Sequence, residues 1–135
     1  MSYVTSPALQ AAVFSALSAD PTVTGLVSGA IYDALPSGTL PSTYVSLGPE
    51  TVFGASDMTS EGALHKFEVS VVTTDQGFQS AKDVGAAICD VLIDADLTLS
   101  RGTLIGIGFD RAVALREENG TVRRINLTFR ARVEA

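Results

Sequence analysis

The sequence predicts an α+β fold in which two main helices pack on one face of an antiparallel sheet of about four strands. Three observations point to it. Apolar residues recur at helical spacing in two stretches, they alternate with polar ones in several others, and Asn119-Gly120 stands between two alternating stretches, where a tight hairpin needs residues that accept positive φ. The plainest alternation is in residues 121–135. There Arg123, Ile125, Leu127, Phe129, Ala131 and Val133 share one side, and Arg124, Asn126, Thr128, Arg130, Arg132 and Glu134 share the other. This is the pattern of a half-buried strand. It places the end of the chain in the sheet and gives the strand's outer face three arginines.

The remaining elements follow in order. Ser6-Pro7 reads as N-cap and first helical position, and Leu9, Ala12, Val13, Ala16 and Leu17 recur at helical spacing until Asp20-Pro21 stops the helix. Asp20-Pro21 then starts a short helical turn carrying Val23, Leu26 and Val27 and ending near Gly29. Residues 31–33 suit a brief strand before the turn-rich stretch 35–41, and residues 44–47 suit another. Residues 48–62 are rich in Gly, Ser, Thr and acids and read as one long loop, whose Val52, Phe53 and Met58 suit contact with a partner.

Residues 64–73 alternate again, with Phe67, Val69 and Val71 opposite Lys66, Glu68 and Ser70. Thr74-Asp75 is expected to cap a helix whose Phe78, Ala81, Val84, Gly85, Ile88 and Leu92 form one stripe ending near Asp94, with Ala81 and Gly85 small enough for close packing on a sheet. Residues 103–116 suit a long strand with Ile105, Ile107, Phe109, Val113 and Leu115 on one face and Gly106 and Gly108 opposite.

A chain of 135 residues is expected to form a single domain, residues 1–135, able to bury roughly two thirds of its unfolded surface. Its hydrophobic fraction of 46% and mean hydropathy of +0.30 are high beside 18% charge, which suggests protein partners. No apolar run approaches the length of a membrane span, so no membrane contact is expected. The start of the sequence lacks the features of a signal peptide and Cys89 is the single cysteine, so assembly in a reducing bacterial cytoplasm is expected.

Net charge is −6, but it is unevenly spread. Three of the nine Lys and Arg and twelve of the fifteen Asp and Glu precede residue 111, giving −9 there and +3 in residues 111–135. Such polarity suits contact between copies better than nucleic-acid binding.

The requirements of catalysis are not met. Gly106-Ile107-Gly108 lacks the third glycine of a dinucleotide-binding turn, because Arg111 stands there, and it lies within a strand. Asp94 and Asp96 have calcium-loop spacing, but Leu99 replaces the necessary glycine. His65, the sole histidine, has no second histidine with which to bind zinc and is expected on a surface or edge strand. Cys89 suits a small buried hydrophobe, and Asp90 disfavours its activation. Glu117 and Glu118, as consecutive residues, point apart. No catalytic residue, cofactor site or metal site is predicted, and none of the cofactors is called for.

Read together, Pro7-Ala-Leu-Gln, Ile31-Tyr-Asp-Ala-Leu-Pro36, Tyr44-Val-Ser-Leu-Gly48, the Phe67 strand and Phe129-Arg-Ala-Arg-Val-Glu134 resemble the tail completion, or tail terminator, proteins of long-tailed phages and gene transfer agents. The resemblance spans nearly the whole chain and rests on the order and spacing of short structural motifs. It implies a small structural subunit of a virion, not an enzyme. Such a subunit forms a homo-hexameric ring on the tail tube, ends tube polymerisation and meets the head-tail connector or stopper, with DNA passing transiently through the ring. The residues it suggests for contacts are the loop 50–61, including Glu50, Val52, Phe53, Met58 and Glu61, and the face of Arg124, Arg130 and Arg132. The alternatives are another neck or tube ring of the same particle, or an α+β domain that binds a small ligand or catalyses.

Overall fold

The computed structural model describes residues 3–55 and 62–135. Along the chain run α1 (Ser6–Ala19), α2 (Pro21–Val27), β1 (Ile31–Tyr32), β2 (Thr43–Ala55), β3 (Gly62–Thr73), α3 (Gln79–Leu92), β4 (Thr103–Glu117), a 3-10 turn (Glu118–Gly120) and β5 (Val122–Glu134). The five strands form one sheet in the order β1-β2-β3-β5-β4, antiparallel except for β1 on β2. The α+β class and the helix-backed sheet stand as expected. The fifth strand is β1, whose two residues pair in parallel with Val45 and Ser46.

The core lies between the helices and one sheet face. Leu9, Val13 and Leu17 of α1 and Val84, Ile88 and Leu92 of α3 pack with Val69, Val71, Leu127 and Phe129. Phe129 is fully buried, with its ring stacked on Phe67 at 5.8 Å and edge-on to Phe109 at 6.1 Å. A Cβ on Gly85 would meet Leu127 at 3.8 Å, so α3 does pack closely over β5 there.

Two helix starts differ from expectation. Thr5, not Ser6, occupies the N-cap of α1 and makes no side-chain capping bond, while the Ser6 hydroxyl donates to Glu50 Oε1 at 2.7 Å. Thr74-Asp75 does not cap α3, because the turn through Gly77, at φ 77°, delays the helix to Gln79. Asp75 instead accepts a bond from Ser80, and the Thr74 amide bonds to Ser42 across the sheet. Asp20 caps α2 as expected, accepting from the Val23 amide at 3.0 Å.

The expected long loop 48–62 is largely strand. β2 continues through residue 55, paired with β3 from Glu50↔Phe67 to Ala55↔Gly62. The register shifts between Leu47 and Glu50, and this bulge absorbs Gly48-Pro49, since proline has no N–H to give the ladder. The bulge also changes parity. Val45 and Leu47 point to the helices, and after it so do Glu50 and Val52, while Thr51 and Phe53 point to the open face.

The same device overturns the expected face of β4. Its register shifts at 104/106 and again at 109/111. Ile107, Phe109, Ala112 and Ala114 therefore stand opposite Ala131, Phe129, Leu127 and Ile125 on the helix side. Val113 and Leu115 stand opposite Asn126 and Arg124 on the open side, and Ile105, within a bulge, is 53% exposed. The Asn119-Gly120 turn does join β4 to β5, but as a 3-10 turn with positive φ at Glu118, Asn119 and Gly120, longer than a two-residue hairpin.

Gly102, just before β4, has φ +83°, and a Cβ there would come within 2.6 Å of the Glu134 carbonyl and 2.7 Å of Thr5 Cγ2. Gly102→Ala should destabilise the fold by about 1–3 kcal/mol through backbone strain, with the clash adding to it. Urea unfolding would check this, and an unchanged midpoint would contradict it.

Candidate interaction surfaces

Even-numbered residues of β5 and β3 project from the sheet face that carries no helices, as the alternation requires. Arg124, Arg130 and Arg132 all lie on this open face, beside Leu64, Lys66 and Glu68 of β3 and Thr51 and Phe53 of β2. Their charges are not equally available. Arg124 Nε donates to Glu117 Oε1 at 3.1 Å. Asp110, placed on this face by the second β4 bulge, lies 3.3 Å from Arg130 Nη1 and 3.7 Å from Lys66 Nζ. Arg132 Nη2 is buried and, among the described residues, has no hydrogen-bond partner. Thus two of the three arginines are compensated within the chain.

The stretch 50–61, expected to supply contacts as a loop, is strand as far as residue 55. Phe53 is 48% exposed on the open face, and Val52 is half-buried on the opposite side. Met58 and Glu61 lie outside the described residues. Glu50 points inward, because of the parity change at Gly48-Pro49. It accepts from Ser6, and its Oε2 lies 3.0 Å from His65 Nδ1.

His65 is not on a surface or edge strand. It is fully buried on the helix face of β3, an interior strand, with Nε2 3.4 Å from Thr5 Oγ1. Its odd number, shared with Phe67, Val69 and Val71, carried that signal. Burial opposes ionisation of Glu50, yet hydrogen bonds from Ser6, His65 and Tyr3 outweigh it and hold the carboxyl below its ordinary range. Ser6 and His65 bond to different oxygens of the one carboxylate, so the histidine does not hydrogen-bond to the serine and the two are linked only through Glu50.

A shallow apolar groove of about 290 Å³ runs between α3 and β4, lined by Gly85, Cys89, Phe109, Ala112 and Leu127 among others. Cys89, expected as a small buried hydrophobe, is half-buried here, and burial and the neighbouring Asp90 raise the pKa of its thiol, which favours the protonated form. Among the described residues no three His, Cys, Asp or Glu side chains gather to hold a metal ion, and no helix is long and apolar enough to cross a membrane.

A helix-backed sheet with an open face of paired surface charges offers surfaces for contact with other chains. The chain belongs to the family of the tail completion protein gp17, whose family model matches residues 11–134, and it is a structural tail protein, not an enzyme. In the solved virion of a native gene transfer agent particle, one chain is 54% identical to it. The match has a TM-score of 0.94 and covers 99% of this chain and 100% of that one. None of the curated protein sequences matches.

Proposed function

We propose that this chain is the tail terminator of a gene transfer agent or related phage-like particle. Residues 1–135 act as one domain, and six copies form a ring that caps the tail tube, ends its polymerisation and joins the tail to the head connector. The observation that supports this most is the 54% identity, over nearly the full length of both chains, to a chain of a gene transfer agent virion, in a family named for tail completion.

The fold supplies what a ring needs. A closed ring is built from heterologous contacts, in which different patches of one surface meet. The net −9 of residues 1–110 and the net +3 of residues 111–135 supply opposite charges for such contacts. Phe53 at the exposed end of β2 gives an apolar contact for the tube or a neighbour. DNA passes through the ring without tight binding, since the subunit carries −6 overall.

Light scattering should give a mass about six times the 14.0 kDa of the chain, and particles assembled without the protein should show tails of uncontrolled length in negative stain. Uniform tail lengths in its absence would refute the terminator reading. Replacing Arg124, Arg130 and Arg132 together with Ala should lower the ring mass while circular dichroism stays native, because the Arg124 and Arg130 pairs are surface pairs worth about 0–1 kcal/mol each. A ring of unchanged mass would remove the open face from the interface.

A further inference from the structure

At the free edge of the sheet, where β4 runs beside the end of β5, the open face holds a groove of about 330 Å³. It is lined by Leu64, Ile105 and the 106–108 stretch of β4, and its cations are Arg130 and Arg132. Gly106 and Gly108 stand opposite Arg132 and Arg130 in the ladder, and a Cβ on either would meet nothing within 4 Å. The two glycines thus leave a bare backbone floor.

We infer that this groove receives an aspartate or glutamate of a second copy of this chain, anchored by Arg132. The inference rests on the ring reading above and names its contact. A guanidinium is a planar fork of donors that fits a carboxylate with two parallel bonds. Here Arg130 is already turned to Asp110, whereas Arg132 Nη2 is buried and lacks an acceptor among the described residues. A buried donor without an acceptor costs free energy; Nη2 is packed against Gly62 and closed to solvent, so the guanidinium relieves that cost by turning into the groove to meet an incoming carboxylate.

Charge complementarity selects the occupant, since a second copy brings the net −9 of its residues 1–110. A nucleic-acid phosphate fits less well. The walls are mainly apolar, one guanidinium is already compensated, and the subunit as a whole repels polyanions. β4 adds a further feature, because as an edge strand it is paired on one side alone and offers backbone groups to a neighbour.

Zero-length carbodiimide coupling tests the contact, applied both to the purified chain and to assembled particles. Arg132→Lys puts an amine in the groove, and a mixture of isotope-labelled and unlabelled chains should yield a product of twice the chain mass. Its mapped peptide should join position 132 of one copy to an acidic residue of the other. Arg132→Gln should reduce the assembled fraction at least tenfold at fixed concentration, with a thermal midpoint for the monomer no lower than the native value. Three results would each overturn the inference: coupling only within one chain or to another particle protein, no coupling in assembled particles, or loss of duplex DNA binding as the one effect of Arg132→Gln. The two readings fail separately. A six-copy ring untouched by Arg132→Gln defeats the inference alone, whereas an Arg132-dependent assembly of some other number defeats the ring alone.

Discussion

Phe129→Ala should destabilise the fold by about 3–5 kcal/mol, the usual range for removing a large aromatic side chain from a core. The side chain is fully buried on β5, which is flanked by β3 and β4, so backbone on both sides resists collapse into the space left behind. It also fixes two neighbours. Phe67 stacks on it and Phe109 meets it edge-on, so the substitution loses aromatic contacts beyond the transfer of the ring itself. Phe109 is 40% exposed on an edge strand and loses its edge-on partner, so β4 should loosen first. A drop in the urea midpoint, with faster amide exchange along residues 103–117 than along β3, would be the signature. Phe129→Leu should cost much less, since it keeps most of the apolar volume. If Phe129→Ala shifted stability by under about 1 kcal/mol, the core would be more plastic than this packing allows.

The readable parts of the sequence were those set by local periodicity. The alternation from Ile125 to Val133 matches the burial of β5 residue by residue, because no bulge interrupts that strand, whereas Arg123 is half-buried like Arg124. The α3 stripe of Ala81, Val84, Gly85, Ile88 and Leu92 is likewise buried as its spacing requires. What stayed hidden depends on events that carry no local signature of their own. Gly48-Pro49 reads as the start of a loop, yet with β3 alongside it becomes a bulge inside a 13-residue strand. The second β4 bulge sends Val113 to the open face although its neighbours alternate as if nothing happened.

The open face proposed for contacts was legible to the same degree. Which residues face outward on β5 followed from parity alone, so all three arginines were placed correctly on one face. Their partners did not follow. Asp110 reaches Arg130 and Lys66 only because a bulge turns it outward, and Glu117 reaches Arg124 across the β4–β5 hairpin. The cation left uncompensated at Nη2, Arg132, could be singled out only once those pairings were known.

Glu50 and His65 show the largest consequence of such an unseen shift, and a second substitution should expose it. Glu50→Ala should cost about 2–3 kcal/mol, the scale for losing hydrogen bonds to a charged group and leaving a buried donor unmet. An ionised carboxylate can only accept, so His65 Nδ1 carries the proton in this pair, and without Glu50 the fully buried ring loses the acceptor for that proton. Ser6 loses its acceptor at the same time, which frees the first turn of α1 from the hairpin. The pH dependence gives a sharper check. Because the folded state holds the Glu50 pKa below its ordinary value of 4.5, the stabilisation is fully present above that value and is lost as pH falls through the lower, folded one. The native chain should therefore lose stability on acidification below 4.5 more steeply than Glu50→Gln, which has nothing to protonate at this position. At neutral pH Glu50→Gln should be the less stable of the two, and the gap should narrow as acid is added. Parallel acid profiles for the two proteins would mean that the carboxylate contributes no more than a neutral acceptor, and that the hairpin is held to α1 by packing alone.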